Sequence, residues 1–389
     1  MTFSFNGMRV SAFEGDTVAG ALVRAGVHTF SRSMKFHRPR GLYCGAGRCI
    51  SCAMRVNGIP WVRTCTLPVA EGMVVESQGG VPGTGFDVLS VFDLVFRKEF
   101  DYHSRFIRPR FLTPVYQDLV RRLASSASLP GCSSISTGVT VRDCNVLVIG
   151  QGVSGSVAAA RLKGADVSGV VTIDRMQGSE ERVPSVAFGI YEGGEVGVQV
   201  GEAVHLIRPR FTLLATGCLE TGLPLVNGEL PGVMLPGALS MLVSRGILPG
   251  QRAVVVGSNE LRPTVLRDLG ALGVKIVGEI EDPTRVHRIV GRNRVRAADV
   301  RENGHVRRIA CDTVVVLGPV VPAIGLASQA GCHLESRDGS LAVSTDPSGR
   351  TSVRSVFACG GVAGFREQAE RIASAERAAD SIVSDLEAG

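Results

Sequence analysis

Aromatic rings that stack on bases are scarce, with one Trp and four Tyr in 389 residues. No run of five like charges is present either, and the net charge of +6 comes mostly from scattered Arg. Nucleic-acid binding is therefore poorly supported. Long apolar runs are also missing. The most apolar stretch, Thr313 to Ala327, is interrupted by Gly318, Pro319, Pro322 and Gly325. It is shorter than the roughly 20 residues a bilayer-spanning helix needs. Met1 to Val10 lacks the cationic start and apolar stretch of a signal peptide. The expectation is a cytoplasmic protein with no membrane span. In a reducing cytosol, ten cysteines do not make a disulfide framework. The seven His are dispersed and form no base–nucleophile pairing, so no side-chain catalytic set is expected.

What is present has the composition of a globular protein, 44% hydrophobic and 20% charged. The length predicts two or three domains. Residues 1–80 read as one of them. Phe3, Phe5 and then Met8, Val10 alternate around Asn6-Gly7, which signals a hairpin. Asp16-Thr17 offers an N-cap for a helix with Val18, Ala21, Leu22 and Ala25 on one face, closed by Gly26. Asn57-Gly58 marks a second hairpin, and Met73-Val74-Val75 a last strand. Two hairpins, one helix and a Gly-rich loop fit a β-grasp, ferredoxin-like fold.

Four of the ten cysteines fall within 22 residues, as Cys44-x4-Cys49-x2-Cys52-x12-Cys65. A [2Fe-2S] cluster needs four thiolates converging on two irons, three from a loop and one from a later strand end. Gly45 and Gly47 would let backbone N–H groups approach the sulfurs, and Arg48 adds positive charge near an anionic centre. The alternative is structural zinc. Zinc ribbons prefer two C-x2-C pairs, and only Cys49-x2-Cys52 matches. His37, just before the loop, reads as a structural histidine before a hydrogen-bond donor to the cluster. The remaining cysteines, Cys132, Cys144, Cys218, Cys311, Cys332 and Cys359, read as small buried hydrophobes.

Residues 81–143 read as a helical connector, with helices near 91–100 and 116–124 and a Ser, Gly and Pro-rich linker over 125–138. From 144 onward the chain reads as α/β. The run Val146-Leu147-Val148-Ile149 leads into Gly150-Gln151-Gly152-Val153-Ser154-Gly155 and then a helix. Here Gly150 would make the tight turn, Gly152 would admit pyrophosphate to the helix N-terminus, and Gly155 would let helix pack on strand. The next strand ends in Asp174, placed to accept hydrogen bonds from a ribose. A later strand ends in Ala215-Thr216-Gly217, a turn that flavin- and nicotinamide-binding disulfide-reductase-like proteins set against the nucleotide. Thr351 to Gly361 resembles their last motif. There Gly360 is followed by Gly361 in place of the Asp that usually bonds the ribityl chain of FAD. A second strand–turn, Val254 to Arg262, keeps only its first glycine, Gly257. Asn259 carries a Cβ where phosphate would approach, which favours a nucleotide-like subdomain without ligand.

Together these motifs resemble the α-subunit family of heteromeric sarcosine oxidase, with hydrogen cyanide synthase, opine oxidase and dye-linked L-proline dehydrogenase as relatives. The resemblance rests on Ser31 to Cys52 (SRSMKFHRPRGLYCGAGRCISC), Arg63-Thr64-Cys65, Glu71 to Val75, Asp93-Leu94, Phe106 to Pro109 and Leu230 to Ala238. It implies a fold of the α/β and α+β classes. A β-grasp [2Fe-2S] ferredoxin-like domain over 1–80 comes first. A disulfide-reductase-like FAD/NAD(P)-binding Rossmann domain follows over 144–226 and 319–389, and a second nucleotide-binding-like subdomain is inserted over 227–318. The Rossmann domain is abbreviated, since only twelve residues separate Asp174 from Ala187.

The family further implies a bound dinucleotide (FAD in preference to NAD) and an FAD-containing partner that oxidises an amine or amino acid. An additional flavin often lies at their interface. This chain would then be the electron-transfer subunit. Two competing readings are a self-contained NAD(P)H-dependent reductase and a cluster-bearing scaffold with an empty nucleotide site.

Overall fold

The computed structural model describes residues 1–33, 36–80, 83–88, 110–115, 138–175, 185–201 and 203–388. The helices expected near 91–100 and 116–124, most of the 125–138 linker and the middle of the shortened segment lie outside these residues. The rest forms two compact units. One joins the described residues up to 115 with Glu220–Pro319, and the other joins 138–219 with Val320 onward. The inserted part of the first unit runs over Glu220–Pro319, and the second unit's first described strand is Val139–Ile149.

In the first unit a five-stranded sheet runs in the order Met8–Ser11, Thr2–Phe5, Val74–Glu76, Ala53–Val56, Ile59–Arg63. Thr2–Phe5 and Val74–Glu76 are parallel and the other pairs antiparallel. Both hairpins turn on an Asn-Gly pair at positive φ, 49° and 81° at Asn6-Gly7 and 48° and 81° at Asn57-Gly58. That geometry matches the twist of the strands it joins. The helix Val18–Arg24 is capped by Thr17, whose Oγ1 accepts the Gly20 N–H at 3.2 Å. Asp16 instead accepts the Phe13 N–H and pairs with Arg24. The helix buries Val18, Ala21 and Leu22 with Phe3, Phe5 and Phe30. Each fully buried Leu or Phe contributes roughly 1.5–3 kcal/mol.

The inserted segment of this unit carries a parallel sheet in the order Val233–Met234, Thr313–Leu317, Arg252–Gly257, Lys275–Ile280. Helix Pro236–Val243 places Leu239 and Leu242 in the same apolar cluster as Leu22 and Phe30. An antiparallel sheet of Val286–Gly291, Val295–Glu302 and His305–Ala310 follows. Across its strands, buried Asp299 accepts from Arg288 at 3.0 Å and from Arg308 at 2.7 Å.

The second unit has a mixed sheet in the order Ser185–Ile190, Val196–Val200, Ala203–Leu214, Val139–Ile149, Val170–Ile173, with Val356–Ala358 also paired to Ala203–Leu214. Its parallel part is built from buried Val, Leu and Ile, as a sheet covered on both faces requires. Helices Val153–Gly164 and Gln368–Ala388 share an apolar cluster through Ala158, Leu162, Ala375, Ala378, Ala379 and Ile382. Cys144, Cys311, Cys332 and Cys359 are buried as expected, and burial pushes the Cys359 thiol up to about 12. Cys218 is only half-buried, and Cys132 lies outside the described residues. No described helix is long and apolar enough to cross a membrane.

Candidate functional site

The cysteine loop turns twice through left-handed backbone, at Gly45 (φ 65°) and Gly47 (φ 67°). These turns point main-chain N–H groups inward. The Gly47 N–H donates to the Cys65 Sγ at 3.2 Å and the Cys49 N–H to the Cys44 Sγ at 3.4 Å. Further N–H groups reach the remaining sulfurs, from Ser51 to Cys49 and from Cys65 to Cys52. The strand end carrying Cys65 is tied to the loop because Thr64 Oγ1 donates to the Cys52 carbonyl at 2.7 Å.

The four sulfurs form a chain of hydrogen-bonded contacts, Cys49 with Cys44, Cys44 with Cys65, and Cys65 with Cys52. Shared protons split the set. Hydrogen bonds from Cys49 and then Cys65 pull Cys44 below the usual thiol range, and the bond from Cys65 does the same for Cys52. Cys49 and Cys65, as donors in those bonds, are pushed up, and burial adds to the effect.

Four gathered sulfurs, each met by a backbone N–H, fit the thiolate ligands of a [2Fe-2S] cluster. Among the described residues no three metal-ligating side chains surround a single ion position. A two-iron cluster does not require that, because it draws two thiolates to each iron. His37 is buried, with Nδ1 2.9 Å from the Asp87 carboxylate. Arg32 beside it donates to the His37 and Thr84 carbonyls.

In the second unit the expected nucleotide motifs meet at one end of the sheet. A Cβ on Gly150 (φ 103°) would lie 2.3 Å from the Ala215 carbonyl oxygen, and one on Gly155 would lie 1.8 Å from that of Gly150. Only glycine permits this packing of strand, turn and helix. Gly152 is the N-cap of helix Val153–Gly164 with no side chain capping it, and a Cβ there would meet nothing within 4 Å. Gly152 itself is exposed, so the start of this helix is open to approach, the setting in which a helix N-terminus accepts an anion. Val153 is exposed, whereas Ser154 is buried and donates to the Arg371 carbonyl.

Asp174 reaches back to the turn, and its Oδ2 accepts the Gln151 N–H at 2.7 Å. Thr216 Oγ1 donates to the Ala323 carbonyl at 3.0 Å, and the Gly217 carbonyl accepts the Ala323 N–H. Gly360 lies on Ser154, and Gly361 lies on Gly217 and Cys218. Cys218 is half-buried beside Gly361, a placement that no spacing in the sequence signals.

The second strand–turn–helix differs. Gly257 again packs on a carbonyl, 2.3 Å from Cβ to the Leu317 oxygen. Asn259 then fills the turn itself. Its Nδ2 donates to the Gly318 carbonyl at 2.7 Å and its Oδ1 accepts the Leu261 N–H at 2.9 Å. Arg262 at the helix start is paired with Glu279 and Glu281, the acids that end the following strand.

Residues 1–80 match the family described as a 2Fe-2S iron-sulfur cluster binding domain, and residues 250–381 match the pyridine nucleotide-disulphide oxidoreductase family. Sarcosine oxidase subunit alpha of Rhizobium meliloti is 27% identical over 408 residues, covering 86% of this chain and 40% of that protein. Hydrogen cyanide synthase subunit HcnA of Pseudomonas aeruginosa is 35% identical over 78 residues, 20% of this chain and 74% of that one. The crystal structure of L-proline dehydrogenase from P. horikoshii superposes with a TM-score of 0.72 at 18% identity, covering 99% of this chain and 73% of that one. The chain spans only 40% and 30% of two sarcosine oxidase α-subunits it matches. It pairs a [2Fe-2S] ferredoxin-like domain with a disulfide-reductase-like FAD or NAD domain, and it belongs to the oxidoreductase family of the sarcosine oxidase α-subunit and hydrogen cyanide synthase.

Proposed function

We propose that this chain is the electron-transfer subunit of a heteromeric flavin-dependent amine or amino acid dehydrogenase, with substrate oxidised on an FAD-containing partner. The observation that carries this reading is the sulfur set, four thiols linked in a chain of contacts and each met by a backbone N–H. Cys44, Cys49, Cys52 and Cys65 would hold the cluster. A bound [2Fe-2S] cluster supplies one-electron chemistry, which suits it to follow a two-electron flavin. The loop's N–H groups would help to hold the sulfurs as thiolates once iron displaces their shared protons, and burial keeps water from Cys44, Cys52 and Cys65.

In the second unit, Gly150, Gly152, Val153, Ser154 and Gly155 would form the pyrophosphate turn of a dinucleotide, FAD in preference to NAD. Asp174 would take the ribose. Ala215, Thr216, Gly217, Gly360 and Gly361 would close the site around it. Gly361 offers no carboxylate to a ribityl chain, so the backbone must take that part. The second turn speaks against a self-contained NAD(P)H reductase, because Asn259 and Arg262 are already engaged within the protein where a nucleotide phosphate would need open backbone. The nine described cysteines form no disulfide, in keeping with the cytoplasmic location proposed here.

The test is purification of the full chain without oxygen. About two iron and two sulfide per chain are expected, with iron lost in Cys65→Ser and an FAD-containing protein captured from the native source. Colourless, iron-free material would refute the relay.

A further inference from the structure

The cysteine loop is pressed onto the first turn of helix Pro236–Val243. A Cβ on Gly45 would lie 2.5 Å from the Ala238 Cα, and one on Gly237 would lie 2.9 Å from the Cys44 carbonyl oxygen. The Leu235 N–H donates to the Tyr43 carbonyl at 2.8 Å. Into this contact Glu220 brings a half-buried carboxylate. Its Oε2 accepts the Gly237 N–H at 2.9 Å, and it lies 3.2 Å from the same Gly237 Cβ position that meets Cys44. Burial holds the Glu220 pKa above the usual carboxylate range. The Gly237 N–H and Arg48 act against that rise, and the Cys44 sulfur adds to it. Arg48 and the Cys44 sulfur thus act on this one carboxylate with opposite signs, beside the loop that would carry the cluster.

We propose that Glu220 is a charge-tuning residue that holds the reduction potential of the cluster below the value its loop alone would set. The proposal rests on the cluster assignment above. Four thiolates make a [2Fe-2S] centre anionic, and reduction adds one further negative charge. A fixed carboxylate near Cys44, in a half-buried setting of reduced dielectric, disfavours that charge. Arg48, exposed on the loop, offsets part of the effect. The carboxylate also caps the helix, but a capping role and a charge role respond differently to Gln, which still accepts the Gly237 N–H and carries no charge.

The experiment is an EPR-monitored redox titration of the full chain at pH 8, prepared without oxygen. Glu220→Gln should keep its iron and sulfide and shift the one-electron midpoint upward by a tenfold change in equilibrium, about 59 mV. Glu220→Asp, which keeps the charge, should stay near the wild type. Arg48→Gln should shift the midpoint downward. Should Glu220→Gln not assemble a cluster, Glu220→Asn carries the same expectation of an upward shift. An intact cluster with an unchanged midpoint in the neutral variant overturns the proposal and leaves the cluster assignment standing. A wild-type chain without iron overturns both.

Discussion

The two strand–turn–helix units of this chain begin alike and end differently. Gly150 and Gly257 each press against a carbonyl of a neighbouring strand end, so both turns are equally tight at their start. Two residues later the first has Gly152 and open space, while the second has Asn259 bonded to Gly318 and Leu261. The difference teaches that a nucleotide-type fold and a nucleotide-type site are separable. The fold needs the first glycine and the apolar strands. A site needs an open helix N-terminus as well, and at the second turn the Asn259 side chain is bonded across it.

The comparison can be broken at its tightest point. Gly155→Ala puts a Cβ 1.8 Å from the Gly150 oxygen, so helix and turn must separate. A loss of about 3 kcal/mol is expected in urea unfolding, and an unchanged midpoint would mean that the first turn is looser than described. In the second turn, Asn259→Ala strips the Gly318 carbonyl and the Leu261 N–H of their partners. A cost of about 1–3 kcal/mol is expected, with no gain of FAD or NADH binding in equilibrium dialysis, because Arg262 still engages Glu279 and Glu281. Gain of tight binding would show that Asn259 alone closes the site. Gly152→Ala is the mirror experiment. Its Cβ meets nothing, so stability should hold within about 0.5 kcal/mol, while FAD retention falls about tenfold, or 1.4 kcal/mol. A smaller effect belongs to the inserted sheet alone. Arg308, then Arg288, holds the Asp299 carboxyl down to about 2. Since its folded pKa lies below the unfolded value near 3.9, this stabilisation is complete above that value and lost as pH falls through about 2. Asp299→Asn should therefore flatten the acid limb of the stability curve, read from unfolding midpoints between pH 5 and pH 2.

Much of the site was legible because its signals are short. Cysteine spacing, Asn-Gly hairpins and the G-x-G-x-x-G turn each act over a few residues, where chain connectivity fixes geometry. Thr17 as N-cap was narrowed from the pair Asp16-Thr17, since only the Thr17 side chain turns toward the Gly20 N–H. His37 read as structural, but its partner Asp87 is fifty positions away in sequence, and no local pattern names it. Asn259 was legible as an obstacle through its Cβ, whereas its two hydrogen bonds were not. Cys218 reads as a core residue but is half-buried, and its neighbour Gly361 arrives from the far end of the chain, so no local pattern signals the placement.

By itself the sequence determined the local chemistry: which residues can ligate iron, where the chain turns, and which strands are buried on both faces. The tertiary structure alone decided what that chemistry is set against. It brought Glu220 and helix Pro236–Val243 to a loop nearly two hundred residues earlier, and Gly360 onto Ser154. The reason is physical. Backbone conformation and ligand spacing are set over one or two turns of chain, whereas packing and electrostatic surroundings are set by whichever distant residues burial brings into contact.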